Sequence, residues 1–151
     1  MTDEPASSAL LATAGLPPLL PETVFRPSRL QLFRFSAVTW NAHRIHYDEE
    51  YARSEGHDGI VVQSTLRGQQ LFSVVRRWLG QRGRVTAFAW RNLLPTYADQ
   101  PVVCRGRVVA TAVAEDGSTE VSVELVELDH AGRTGAVGTA TVRLPGGLSP
   151  I

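Results

Sequence analysis

Past Gly80 the chain settles into β-branched and apolar runs that partly alternate with polar residues: RVTAFAWRNLL (84–94), VVCRGRVVATAVA (102–114), TEVSVELVEL (119–128) and TGAVGTATVRL (134–144). Such alternation predicts strands with one face turned to a core. The intervening stretches 95–101, 115–118 and 129–133 carry turn residues. Asp116-Gly117 and Ala131-Gly132-Arg133 allow the positive φ that tight hairpin connections demand. This half of the chain therefore predicts an antiparallel sheet.

Helical spacing governs the stretch before it. Pro27 and Ser28 mark a helix start, with Ser28 able to cap free N–H groups ahead of RLQLFRFSAVT (29–39), whose inward face would hold Leu30, Phe33 and Val38. Asp48 can cap a short helix, EEYARSE (49–55), ended by Gly56. HDGIVVQ (57–63) reads as extended. A longer helix is predicted from Ser64 to Leu79, with Leu66, Phe72, Val75 and Leu79 as its buried stripe and Arg67, Arg76 and Arg77 on other faces. One long helix followed by several long strands predicts an α+β fold, the sheet wrapped against the helix. Residues 1–24 begin acidic and are interrupted by Gly15, Pro17 and Pro18. They lack the basic start of a secretory signal and read as a flexible arm that lies across a partner subunit. The folded domain is then 25–151.

Composition narrows the function classes. A chain of 151 residues that is 43% hydrophobic and 20% charged is an ordinary globular domain, neither disordered nor membrane-spanning. All fifteen basic residues are arginine, balanced by fifteen acids, and no basic block marks a nucleic-acid surface. A single cysteine, Cys104, rules out an internal disulfide and fits a reducing cytoplasm.

The densest polar cluster is Asn41, His43, Arg44, His46 and Asp48, holding two of the four histidines. Imidazole suits proton transfer near neutrality, with an ordinary pKa of about 6.5. His46 is the candidate base, its alternative being a core histidine held by Trp40 and Tyr47. His43 either orients His46 or turns its ring into a backbone hydrogen bond. Arg44 is placed to meet a phosphate or carboxylate, or else an ordinary ion pair, and Asp48 is foremost a helix cap. No further ligands with zinc-like spacing accompany His43 and His46, so no metal is expected.

The segment FRFSAVTWNAHRIHYDEEYARSEGHDGIVV (33–62), the helix opening after it and the later WRNLLP (90–95) resemble the MaoC-like hotdog dehydratases and hydratases, in particular their 3-hydroxyacyl-thioester dehydratase and mesaconyl-coenzyme A hydratase branch. The resemblance spans roughly residues 25–145. It implies a hotdog fold and a hydro-lyase that interconverts 3-hydroxyacyl and 2-enoyl thioesters of coenzyme A or acyl carrier protein by syn loss or gain of water, with no redox cofactor. It also implies roles. His46 carries the proton; Asn41, where much of the family has an acid, holds the water or hydroxyl by hydrogen bonds; the Ser64 N–H, at the central helix start, supports the thioester oxygen. Gln63-Ser64 stands in place of a common His-Gly pair and, with Thr65, shapes the cavity. Arg91 matches a position that meets the thioester carrier. Homodimerisation, usual for hotdog proteins of this size, would complete the acyl tunnel. Rival activities remain at this point: a thioesterase using Asp48 or Asp58, a cyclase or isomerase of a polyketide-type intermediate, and a non-catalytic acyl-binding subunit.

Overall fold

The computed structural model describes residues 4–146. Its elements are α1 (Glu4–Thr13), β1 (Leu19–Phe25), α2 (Arg29–Thr39), a 3₁₀ turn (Arg44–His46), α3 (Glu49–Ser54), α4 (Ser64–Leu79), β2 (Arg84–Asn92), β3 (Val102–Val113), β4 (Thr119–Leu128) and β5 (Thr134–Leu144). The strands form one antiparallel sheet in the order β1-β3-β4-β5-β2. This is the hotdog architecture expected from the sequence, with α4 as the helix inside the curved sheet.

Burial follows the pleat. Val121, Val123, Leu125, Ala136, Ala140 and Val142 turn inward and meet Leu71, Val74, Val75, Trp78 and Leu79 of α4. Burying each valine or leucine among these contributes roughly 1.5–3 kcal/mol before entropy is charged. Cys104 lies in this core with no exposed surface, and burial foremost pushes its thiol up to about 12. Gly68 is required by close packing: a Cβ there would sit 2.5 Å from the Trp90 ring. Among the described residues no helix is long and apolar enough to cross a membrane.

Three expectations need correction. The supposed arm supplies α1 and β1, and Leu11, Leu16 and Leu20 are buried in the main core; residues 1–3 lie outside the described chain. Pro21 does not break β1, because β1 is an edge strand and its pairing with β3 shifts register between Leu20 and Thr23. Helix α2 is capped by Ser28 as expected, but it buries Leu32 and Ser36, leaving Leu30, Phe33 and Val38 exposed. Leu32 packs with Ile60, Val62 and Leu66 in a second, smaller core. On α4, Arg76 and Arg77 are exposed but Arg67 is buried, and Phe72 is only half-buried.

Candidate active site

A cleft of about 410 Å³ opens at the start of α4, lined by Asn41, His46, Val61, Val62, Ser64, Thr65, Arg67 and the segment Asn92–Pro95. Local chain geometry explains how residues distant in sequence meet here. Trp40 ends α2 in the left-handed region (φ 53°), and the Asn41 N–H folds back onto the Ser36 carbonyl at 3.0 Å. The chain then passes through the 3₁₀ turn that carries His46. Beyond α3, whose start is capped by Asp48, the segment 60–62 is clamped on two sides: Val61 N–H donates to the Ile45 carbonyl, and Val62 N–H to the Thr96 carbonyl.

That clamp fixes the histidine. His46 is buried, and its Nδ1 lies 2.7 Å from the Val61 carbonyl oxygen. A carbonyl only accepts, so Nδ1 carries the proton and Nε2 is the unprotonated nitrogen of the neutral ring. Burial foremost holds the His46 pKa below the ordinary histidine value. The Val61 hydrogen bond opposes that shift, and His43 and His57 reinforce it. At neutral pH the ring is therefore a neutral base.

The opposite wall is the first turn of α4. The opening N–H groups of any helix lack intrahelical acceptors and carry partial positive charge. Gln63, at the cap position, makes no side-chain cap bond. It is fully buried and turns away instead, donating from Nε2 to the Leu32 carbonyl at 2.8 Å and to Ser36 Oγ at 2.9 Å. Gln63 thus ties α2 to the start of α4 rather than lining the cleft. Ser64 and Thr65 do line it, and Ser64 Oγ accepts a 2.6 Å bond from Asn92 Nδ2.

Other expected site residues fall elsewhere. His43 is exposed and accepts the Ile45 N–H on its own Nδ1 at 3.4 Å, the backbone-bonded alternative, although its ring stays 6.2 Å from that of His46. Arg44 is exposed, paired with Asp48 at 2.6 Å and stacked over Tyr51. The Tyr51 backbone N–H and then Arg44 hold the Asp48 carboxyl below its usual range. Neither residue borders the cleft. Arg91 pairs in register with Val137 on the outer face of the sheet, where it lines a different, larger hollow. Its neighbour Asn92, opposite buried Ala136, turns to the cleft.

Sequence reading missed Asn92, the Val61 carbonyl and a buried ion pair behind the cleft. Arg67 and Glu127 meet at 2.7 Å with exposures of 3% and 0%. Arg67 also donates to the Leu94 carbonyl, and Thr96 Oγ1 to Glu127. WRNLLP did point to the right strand end, but the alternation of a strand assigns the cleft to Asn92 and not to Arg91.

The family model for hydroxyacyl-thioester dehydratase type 2 matches residues 13–98, more than half of the chain and all of the cleft lining. The chain belongs to this family. Mesaconyl-C(4)-CoA hydratase of Chloroflexus aurantiacus is 37% identical over 116 residues, covering 71% of the chain and 40% of the relative. The mitochondrial hydroxyacyl-thioester dehydratase type 2 of Schizosaccharomyces pombe is 32% identical over 81 residues, covering 52% of the chain and 27% of the relative. This family member therefore spans less than half the length of either curated relative. Its fold is shared with the (R)-hydratase from A. caviae involved in PHA biosynthesis, at TM-score 0.75 and 17% identity over 83% of the chain and 93% of the hydratase.

Proposed function

We propose that this dehydratase-family chain is a hydro-lyase that adds water to, or removes it from, an acyl thioester of coenzyme A or acyl carrier protein, interconverting (3R)-hydroxyacyl and 2-enoyl forms. The observation that carries the reading is His46: a buried, neutral imidazole with Nδ1 locked on the Val61 carbonyl, bordering the same cleft as the open N-terminus of α4.

The chemistry follows from those two walls. The hydrogen beside a thioester carbonyl is only weakly acidic, so its removal requires that the carbonyl oxygen be stabilised as charge develops. The Ser64 N–H, with Thr65 beside it, supplies a fixed donor at a helix N-terminus. In dehydration His46 Nε2 takes the α-proton and returns it to the departing hydroxyl on the same face of the substrate. Asn41 holds that hydroxyl, or the incoming water, through its amide, which donates and accepts hydrogen bonds but does not exchange protons at neutral pH. Asn92, bonded to Ser64 Oγ, steadies the oxyanion side. A thioesterase based on Asp48 is disfavoured, because that carboxylate caps α3, is paired with Arg44 and lies outside the cleft lining.

The proposed assembly is a homodimer. β2 is a sheet edge, and Trp90, Leu93 and Leu94 are exposed on it or just beyond; sedimentation showing only monomer at working concentration would count against it. A reducing compartment, the cytoplasm in our reading, suits the unpaired Cys104.

The test of activity is hydration of a panel of 2-enoyl thioesters followed by mass. A gain of one water that falls about 10²–10⁴-fold in a folded His46→Ala variant supports the assignment. Near-normal turnover in that variant removes His46 from the mechanism.

A further inference from the structure

Asn41 borders two hollows. One is the cleft it shares with His46 and Ser64; the other, of about 350 Å³, opens between α2 and the chain that follows it, with Phe33, Ser36, Ala37, Trp40 and Tyr47 in its lining. No charged side chain borders this second hollow. Its hydroxyls are already engaged, Tyr47 donating to the Ala42 carbonyl at 2.9 Å and Ser36 Oγ accepting from Gln63 Nε2 at 2.9 Å. What it offers an occupant is therefore apolar surface. Phe33 and Tyr47 meet edge to face with ring centroids 6.3 Å apart, and Trp40 is 93% exposed. Trp40 is also held in the left-handed region (φ 53°), where glycine is common and a bulky residue is an outlier. Strained backbone and an uncovered aromatic wall, side by side, mark a place that something covers.

The order of atoms along the substrate says what that is. In the hydro-lyase reading the C1 oxygen meets the Ser64 N–H, the C2 proton meets His46 and the C3 hydroxyl meets Asn41. C4 and every carbon after it therefore leave the cleft at the Asn41 end, where the second hollow begins. An acyl group that stops at C4, or ends in a charge, would leave Trp40 and Phe33 in water.

We infer that the hollow formed by Phe33, Ala37, Trp40 and Tyr47 receives the tail of the acyl group, and that the substrate carries an apolar chain of more than four carbons. The inference rests on the hydro-lyase reading. Its test compares straight-chain 2-enoyl thioesters of four and eight carbons on one carrier.

Each methylene buried on apolar walls is worth about fourfold in binding, the equivalent of about 0.8 kcal/mol. Four methylenes in a hollow open on one side should therefore raise kcat/KM at least about tenfold, chiefly through KM. Saturated, unreactive analogues should inhibit the wild-type protein in the same order, a measurement that needs no variant to fold. Ala37 is an exposed position on α2, so Ala37→Phe fills the hollow without disturbing the core, and Trp40→Ala removes one wall. In each variant the eight-to-four ratio should fall towards one. A wild-type ratio of one or below, or a ratio unchanged in either folded variant, overturns the inference. A variant that changes the sedimentation of the protein and leaves the ratio as it was does the same, and gives the hollow to a second copy of the chain. Hydration of the four-carbon substrate alone overturns the inference while leaving the hydro-lyase reading intact. Failure to hydrate any member of the wider panel overturns both.

Discussion

Replacing Glu127 by Gln removes one charge and almost no volume, so it isolates what the buried ion pair contributes. Glu127 accepts from Arg67 Nε at 3.0 and 3.2 Å, from Arg67 Nη2 at 2.7 Å and from Thr96 Oγ1 at 2.9 Å. Oε1 takes three of these four contacts. If the amide oxygen of Gln keeps that position, its NH₂ faces Arg67 Nε, donor against donor. The larger loss is electrostatic, because an arginine at 3% exposure keeps its charge with no counter-ion. The space does not relax easily, since a Cβ on Gly135 would already sit 2.9 Å from both Arg67 Nη2 and Glu127 Oε1.

Breaking a buried pair on one side costs about 3–5 kcal/mol, a large part of the roughly 5–15 kcal/mol that holds a domain together. With a urea dependence of about 2 kcal/mol per molar, the midpoint of Glu127→Gln should drop by about 1.5–2.5 M. Arg67→Leu with Glu127→Leu should cost less than the single change, because no lone charge remains. The measurement is urea unfolding followed by circular dichroism and by tryptophan fluorescence. A Glu127→Gln midpoint within about 0.5 M of wild type, at unchanged slope, would refute the claim that the buried Arg67 depends on Glu127 as its counter-ion.

Three further predictions follow from the cleft and its supports. On the acid side, kcat/KM should decline with an apparent pKa below the ordinary 6.5 of histidine, because burial holds His46 neutral; a limb centred above 6.5 would contradict this. The same shift has a stability sign: the unfolded chain takes up the His46 proton first, so the contribution is full above about 6.5 and is lost as pH falls towards the lower folded value. Gly68→Ala should destabilise by about 1–3 kcal/mol through collision with the Trp90 ring, read as a lowered denaturation midpoint. Gln63→Leu should cost about 1–3 kcal/mol by removing the two buried bonds from Nε2 to the Leu32 carbonyl and Ser36 Oγ. It should also raise KM as α2 and Asn41 loosen, so unchanged stability and kinetics would remove Gln63 from its tethering role.

What the sequence disclosed divides along physical lines. Ser28, Asp48 and Gly56 act on backbone groups within a few residues: both helix starts are as predicted, and α3 ends at Ser54, one residue before the predicted end. The four long strands were equally plain, because a half-buried sheet writes its period into each strand. The face of α2 was not. Leu30, Phe33 and Val38 make as good a stripe as Leu32 and Ser36, and only the second core around Ile60, Val62 and Leu66 decides between them. Residues 4–24 looked unstructured because their prolines suggest a break, whereas a proline in an edge strand with shifted pairing breaks little. In the cleft, His46 was legible as chemistry, but its locked tautomer depends on a carbonyl fifteen residues away. The Arg67–Glu127 pair spans sixty residues and leaves no local mark. Arg67 was accordingly read onto an outer face of α4 with Arg76 and Arg77, and only the packing of the sheet shows it turned inward.

The inward thiol of Cys104 gives the protein a built-in clock for its own opening. Only thiolate reacts with alkylating reagents, and a fully buried thiol with its pKa near 12 presents almost none while the fold is closed. Labelling of the unmodified chain should therefore proceed only through molecules in which β3 has come away from α4. Its rate, set against that of the denatured chain, reads the free energy of that opening under native conditions. Because no other cysteine competes, one thiol added on the exposed face of α2 would report the opposite extreme, a position always in contact with solvent.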